Sequence, residues 1–227
     1  MSQIEPFDLK DFARGFNMRY PSLSELKEFH QKTKYPDEFG LYRAWLTEGI
    51  PYVFSDIPLL FEKIRDFIGN EIGVHPSDIK LVGSARTGYS LDPSKNGKAF
   101  SNNSDLDLAV VSHHYFLECE MEFLKFKKDY EEKSITPANS RQTELWPEII
   151  SDIDRQRRTS GFIDIFKIPT LQGYPVAKNS INTCWRVTER LKLTPFGPKV
   201  KKCSIRVYRN TESFMKQNNI NFRCCLA

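Results

Sequence analysis

The chain has 227 residues, of which 40% are hydrophobic, 13% aromatic and 27% charged, and its formal net charge at pH 7 is +4. This composition excludes a disordered or collagen-like chain, and the length predicts one domain or one domain with an appended segment. The mild positive charge permits binding of a polyphosphate or a nucleic acid without requiring it.

The N-terminal part of the chain predicts helices. Two are expected at 22–32 and 38–48, before the break at 49–51. We therefore treat residues 1–50 as a helical lead-in and 51–227 as the main domain. Ser55 is expected to cap the next helix, with Pro58 in its first turn. Apolar residues at helical spacing follow, up to the glycines at 69 and 73.

From residue 79 onward, short strands alternate with helices. Strands are expected at 79–82, 105–111, 162–168 and 204–208. Helices are expected at 114–133, 143–157, 180–193 and 211–218. Because helices and strands interleave, the predicted fold class is α/β or α+β, with a mixed sheet flanked by helices.

Several features indicate the compartment. No apolar run approaches the roughly 18 residues that span a bilayer. The N-terminal residues lack the basic and apolar regions of a signal peptide. The five cysteines, at 119, 184, 203, 224 and 225, have neither a zinc-binding spacing nor that of a disulfide framework, so we expect reduced thiols. A cytoplasmic protein without membrane contact is predicted.

Two acids, Asp105 and Asp107, alternate with leucines in the second predicted strand. Side chains two residues apart in a strand point to the same face, so these carboxylates lie side by side. Two anions on one face repel each other, which predicts either a bound cation or a solvated surface. An Asp-x-Asp pattern alone does not decide between the two.

A third acid, Asp164, lies among the apolar residues 162–168. A buried carboxylate is costly without a partner. Magnesium prefers oxygen ligands, and two metal ions about 4 Å apart can clamp the attacking and leaving oxygens of a phosphoryl transfer. We expect Asp105 and Asp107 to hold the ion that binds a triphosphate, and Asp164 to join them on a second ion, where an attacking hydroxyl is activated.

The dipeptide Gly83-Ser84 ends the first predicted strand. Glycine lets the backbone approach a phosphate closely, and the Ser84 hydroxyl can bond phosphate oxygens. Arg86 and Thr87 follow this turn at once and are placed to reach the phosphates. Such a dipeptide alone is common in loops, so its value depends on the acids that follow.

Together, Gly83-Ser84, Asp105-Leu106-Asp107 and Ile163-Asp164-Ile165 resemble the signature of the polymerase-β-like nucleotidyltransferases. The resemblance covers roughly residues 55–170. It implies a polymerase-β-type core that uses Mg²⁺ or Mn²⁺ to transfer an NMP or dNMP from a nucleoside triphosphate to a hydroxyl, with release of pyrophosphate. The 20 residues between Ser84 and Asp105 exceed the family's usual spacing, as though residues 91–100 were an inserted loop.

Within that superfamily the chain is most similar to bacterial enzymes, including those of phage-defence operons that make nucleotide signals or short oligonucleotides. The acceptor implied is a second nucleotide, an oligonucleotide end, tRNA or a protein, and an effector protein encoded nearby is a further implied partner. Two alternatives stay open: a toxin-type transferase that modifies a protein or tRNA, and a catalytically silent NTP-binding scaffold. The complete set of acids argues against the scaffold alone.

Several basic residues have two interpretations, as phosphate contacts or as solvated surface. They are Arg155, Arg157 and Arg158, and the series Lys178, Arg186, Arg190, Lys199, Lys201 and Lys202. The loop 92–100 is expected to be mobile, because it contains little apolar surface. We expect Lys95 or Lys98 to fold over the phosphates when substrate binds.

Overall fold

The computed structural model describes residues 20–32, 40, 42–95 and 97–226. The helix expected at 38–48 falls partly outside these residues, and its described part, Arg43–Thr47, forms a single π-helical turn. The other elements follow in chain order.

The helices pack around a sheet. They are α1 (Leu23–Lys32), α2 (Pro58–Ile72), the single turn α3 (Ser84–Thr87), α4 (His113–Glu131), α5 (Ser140–Thr159), α6 (Pro175–Leu193) and α7 (Thr211–Leu226). The strands are β1 (Ile79–Val82), β2 (Leu106–Val111), β3 (Phe162–Asp164) and β4 (Cys203–Tyr208). Within the described ranges, no helix is long and apolar enough to cross a membrane.

The four strands form one mixed sheet in the order β1-β2-β4-β3. Strand β2 pairs antiparallel with β1 and parallel with β4, and β3 pairs antiparallel with β4. The expected mixed sheet flanked by helices is therefore confirmed. The last strand in the chain inserts between β2 and β3, so residues of β4 lie between the two predicted acidic strands.

One face of the sheet forms the main core. Side chains alternate between faces along each strand, and every second residue of β2 and β4 is apolar and buried. The buried residues of this face include Leu106, Leu108, Val110, Ile205 and Val207. They belong to one cluster with apolar residues of α2, α4, α5 and α6.

The opposite face is covered over half of its length. Phe214 and Met215 of α7 pack on Ala109, Phe162 and Tyr208. The uncovered half contains the first residues of β2 and β4 and the last residues of β1 and β3, which is where the polar side chains of the sheet lie. Beyond this cluster, Phe222 of α7 packs with the N-terminal segment, in a second cluster that includes Tyr42 and Trp45.

Some boundaries differ from the sequence expectations. The strand expected at 162–168 ends at Asp164, because the Asp164 carboxylate accepts a hydrogen bond from the N–H of Phe166 and starts a 3-10 turn. The helix expected from 180 begins at Pro175, where Glu122 accepts hydrogen bonds from the N–H groups of Val176 and Ala177.

The helix after Pro58 also differs in its ends. Ile57, rather than Ser55, occupies the N-cap position, and no side chain caps the helix there. Gly69 lies inside the helix, and Gly73 ends it in the left-handed conformation with φ 72°. Glycine is favoured at Gly73 because other residues rarely adopt this conformation.

Candidate active site

The uncovered half of the sheet forms the floor of a cleft of about 770 Å³. The three predicted acids, Asp105, Asp107 and Asp164, line it together with Gly83 and Ser84. A concave site of this size is typical of small-molecule binding. The sequence motifs, which are up to 81 residues apart in the chain, thus meet in one cleft.

The Gly83-Ser84 turn lies directly beside Asp107, because Val82 of β1 is the register partner of Asp107 in β2. Gly83 has φ 68°, a conformation that favours glycine. A Cβ atom added at Gly83 would also lie 3.3 Å from Oδ2 of Asp107. Glycine is therefore favoured both by the turn and by the close approach of the carboxylate.

Asp107 is held by β4. Its Oδ1 accepts a hydrogen bond of 2.7 Å from the Ser204 hydroxyl, and Ser204 is its register partner across the parallel pair. Burial raises the pKa of the Asp107 carboxyl above its ordinary value, the Ser204 hydrogen bond opposes this rise, and the charge of Asp105 adds to it. An anion kept in this environment favours a bound cation.

Asp105 lies one residue before β2. Its Oδ2 is 3.6 Å from Nζ of Lys202, whereas its Oδ1 is buried and has no hydrogen-bond partner. Buried carboxylate oxygens are seldom left without a partner. The unpartnered Oδ1 therefore marks a place where a cation or a donor from a ligand would be stabilised.

Asp164 lies at the other end of the cleft floor. It is the register partner of Arg206 in β4, so a whole strand separates it from Asp107. Adjacent strands are about 4.8 Å apart, and Ser204 and Arg206 lie two residues, about 6.6 Å, apart along β4, which puts the backbones of Asp107 and Asp164 about 12 Å from each other. Across the described ranges, no three acid, His or Cys side chains are close enough to form a metal-binding group. The three carboxylates therefore do not converge as expected. Asp105 and Asp107 form a pair, and Asp164 lies apart from them.

The donor set nevertheless fits a hard divalent cation. Asp105 supplies an unpartnered carboxylate oxygen beside the buried Asp107. Magnesium in nucleotide sites is commonly held by one or two carboxylates plus phosphate oxygens. Two ions about 4 Å apart, each about 2 Å from its ligand, would span about 8 Å between carboxylate oxygens, so Asp164 would contact a second ion only with its side chain extended toward Asp107.

Arg86 and Thr87 have a different role from the one expected. The Arg86 guanidinium donates hydrogen bonds to the backbone carbonyls of Trp45, Glu48 and Gly49, and only 6% of the residue is exposed. The Thr87 hydroxyl is buried and donates to the carbonyl of Tyr89. Although Arg86 borders the cleft, its donors hold the segment 45–49, and Thr87 does not line the cleft, so neither residue is placed to bind phosphate.

Four lysines contribute positive charge to the cleft. Lys95 and Lys98 come from the loop after α3, and Lys201 and Lys202 precede β4. All four are exposed. The loop is closed at its base by the bridge between Tyr89 and Ala99. Its expected mobility stays a prediction.

Two cleft residues, Ser204 and Arg206, were missed in the sequence. The alternation in the segment 203–208 places both on the polar face, and this pattern is visible in the sequence. What the sequence could not show is that this strand inserts between β2 and β3.

The arginines near the end of α5 form ion pairs on the helix. Arg155 pairs with Asp152, and Arg157 and Arg158 both pair with Asp154. None of these residues lines the cleft. The structural interpretation is therefore favoured for the three arginines.

Comparison of the chain with protein-family models, with curated proteins and with solved structures found no match. A functional conclusion therefore depends on the residues of the cleft. Its strongest basis is the meeting of a glycine turn, a carboxylate pair and several cations on one face of the sheet.

Proposed function

We propose that the protein is a metal-dependent nucleotidyltransferase with a polymerase-β-type core, which transfers an NMP or dNMP from a nucleoside triphosphate to a hydroxyl and releases pyrophosphate. The single observation that carries this proposal is the position of Gly83-Ser84 against the Asp105–Asp107 pair, in a cleft that also contains Asp164. The resemblance of the sequence motifs adds to it.

The turn and the lysines would bind the triphosphate. The Ser84 hydroxyl and nearby N–H groups can donate to phosphate oxygens, and the close approach at Gly83 brings those phosphates beside Asp107. Lys95, Lys98 and Lys201 are exposed at the same cleft and can neutralise phosphate charge. Positioning and charge neutralisation carry most of the catalysis of phosphoryl transfer.

The acids would hold the metal. Asp105 and Asp107 would bind the Mg²⁺ or Mn²⁺ ion that accompanies the triphosphate, and Asp164 would serve the ion beside the acceptor hydroxyl. When bound, such ions stabilise negative charge on the attacking and leaving oxygens. In the free protein, Lys202 beside Asp105 supplies part of the missing positive charge.

We further propose a cytoplasmic role in bacterial antiviral defence, in which the product is a nucleotide signal or a short oligonucleotide read by an effector protein encoded nearby. This part follows from the resemblance to enzymes of phage-defence operons. The alternatives predict other products: label on a protein or tRNA for a toxin-type transferase, and NTP binding without turnover for a silent scaffold.

The test is incubation of the purified protein with each α-labelled NTP and dNTP and Mg²⁺ or Mn²⁺, with the products resolved on a gel. Parallel reactions contain tRNA, an oligonucleotide or a cell extract as acceptor. The proposal expects a labelled product that is absent from the Asp105→Asn variant. The proposal is contradicted if the wild type forms no labelled product in any of these reactions, or if Asp105→Asn forms as much product as the wild type.

A further inference from the structure

Arg206 is a cationic side chain on the cleft floor with an unusual environment. It is the register partner of Asp164 and lies on the same face as Ser204, at the β3 end of the cleft. The Gly83-Ser84 turn lies at the opposite end, beside β2. Arg206 is therefore on the acceptor side of the cleft rather than on the side that we assign to the triphosphate.

The guanidinium of Arg206 lacks an ion-pair partner among the residues that the structure describes. Its Cζ lies 4.9 Å from the centre of the Phe162 ring, and the Nε atom is buried without a hydrogen-bond acceptor. Burial lowers the pKa of Arg206, but the attraction and hydrogen bond of Tyr208 and the more distant charges of Asp164 and Asp107 outweigh this effect and raise it.

The other cations of the cleft are accounted for. Arg86 donates to backbone carbonyls, Lys202 lies 3.6 Å from Asp105, and the remaining lysines are exposed to water. Arg206 alone, of the cleft cations described, combines a partly buried side chain with a fully buried donor that has no acceptor. Removing a charge from water without an ion-pair partner is costly.

A ligand anion would supply the missing partner. Guanidinium groups present several donors in a fixed planar fork, which matches a phosphate group. A phosphate close to the acceptor hydroxyl is present in any nucleotide or nucleic-acid acceptor, but not in an unmodified protein side chain.

We propose that Arg206 binds a phosphate group of the acceptor, so that the acceptor is a nucleotide or a nucleic-acid strand end and not a protein hydroxyl. This inference rests on the proposed function for the assignment of the acceptor side. The two sources of phosphate, a free mononucleotide and a strand, share the same recognition chemistry.

The test is a binding measurement on the full chain in EDTA, so that it depends neither on metal nor on turnover. Calorimetry compares the four nucleosides, their 5′-monophosphates and short single-stranded oligonucleotides. Wild-type protein is expected to prefer the phosphorylated probe by about 10- to 100-fold, and Arg206→Gln is expected to lose that preference. Arg206→Lys should retain part of it, because it keeps the charge without the planar fork.

Arg190→Gln is the matched control. Arg190 also stacks on a phenylalanine, with its Cζ 4.1 Å from the centre of the Phe67 ring, but it lies outside the cleft. This variant is expected to keep the wild-type preference. The arm that binds more tightly, mononucleotide or oligonucleotide, identifies the source of the phosphate.

Three results would overturn the proposal. One is an equal affinity of the wild type for nucleosides and for both kinds of phosphorylated probe. Another is a phosphate preference that survives Arg206→Gln but disappears in Ser84→Ala, which would place the phosphate at the turn. The third is a loss of the phosphate preference in Arg190→Gln equal to that in Arg206→Gln, which would show that positive charge in general, rather than Arg206, carries the preference.

The outcome is separable from that of the proposed function. Binding through Arg206 without any NTP turnover would support the anion site and contradict the transferase. Turnover with a protein acceptor that is unaffected by Arg206→Gln would support the transferase and contradict the anion site.

Discussion

The two faces of the sheet are built from the same strands and differ in what they bury. On one face, Leu108 of β2 and Ile205 of β4 are packed among apolar side chains. On the other face, Asp107 and Ser204 form a hydrogen-bonded pair at the floor of a cleft. Each of them directly precedes one of these two apolar residues in the chain. A step of one residue along the chain thus separates a position that stabilises the fold from one whose charge is costly to bury.

This difference teaches how function is encoded beside stability. Apolar burial contributes roughly 25 cal/mol per Å² of buried surface, whereas an anion that is partly removed from water lowers stability unless it is paired. The unpartnered oxygen of Asp105 and the unpartnered Nε of Arg206 are both on the cleft face. The contrast predicts that substitutions on the cleft face lower turnover, whereas substitutions of neighbouring residues on the core face lower the free energy of unfolding.

The largest expected effect is on turnover in Asp105→Asn and Asp107→Asn. Each substitution removes a carboxylate from the proposed metal site, and metal ions contribute several kcal/mol to transition-state stabilisation, so the rate should fall about a thousandfold or more. Asp92→Asn removes a carboxylate from the rim of the same cleft and is the control, expected to stay active. A wild-type rate in either Asp105→Asn or Asp107→Asn would refute the metal assignment.

The corresponding effect on the core face is on stability. Leu108→Ala removes a side chain that is 1% exposed, so the free energy of unfolding should fall by about 2–5 kcal/mol. Urea titration followed by circular dichroism measures it. Asp107→Asn, one residue away, should not lower the unfolding free energy by a comparable amount. A similar loss in both variants would remove the proposed distinction between the faces.

Ser84→Ala sharpens the comparison within the cleft. One hydrogen bond to a charged phosphate is worth about 1.5–3 kcal/mol, so kcat/KM for the triphosphate should fall about 10- to 100-fold. Steady-state kinetics with the preferred nucleotide gives this value. A loss as complete as that in Asp105→Asn would assign Ser84 a role other than phosphate binding.

The smallest effect concerns a carboxylate on the core side. Glu122 is 7% exposed and burial raises its pKa, although hydrogen bonds from the N–H groups of Ala177 and Val176 oppose the rise. An acid with a raised pKa contributes stability below its unfolded pKa and loses that contribution as pH rises through the folded pKa.

The free energy of unfolding should therefore decrease more steeply with rising pH above about 4.5 in the wild type than in Glu122→Gln, which cannot titrate at this position. Urea titrations at a series of pH values from about 4 to 8 give both curves. Parallel curves would show that Glu122 does not change its protonation within that range.

Local pattern made much of the fold predictable from the sequence. The period-two alternation around Asp105 and Asp107 predicted β2, and apolar residues at helical spacing predicted the helix after Pro58. The glycine turn beside the acids was also predictable, because its chemistry is contained in a few adjacent residues. These features depend on neighbours in the chain.

Features that depend on distant residues were not predictable. The insertion of β4 between β2 and β3 separates Asp164 from Asp107 and brings in Arg206. Arg86 has the position of a phosphate ligand in the sequence, yet carbonyls of residues 45–49 satisfy its donors. Hydrogen-bond partners that lie 37 to 41 residues away along the chain cannot be inferred from the residues next to Arg86.

The most direct test of the central claim, that this cleft binds a metal–triphosphate complex through the acids of β2, does not require the acceptor. Water-proton relaxation reports Mn²⁺ bound to the protein in the presence of each NTP. The account predicts enhanced relaxation with the wild type and with Asp92→Asn, and its loss in both Asp105→Asn and Asp107→Asn. Equal enhancement in Asp107→Asn and the wild type would contradict it.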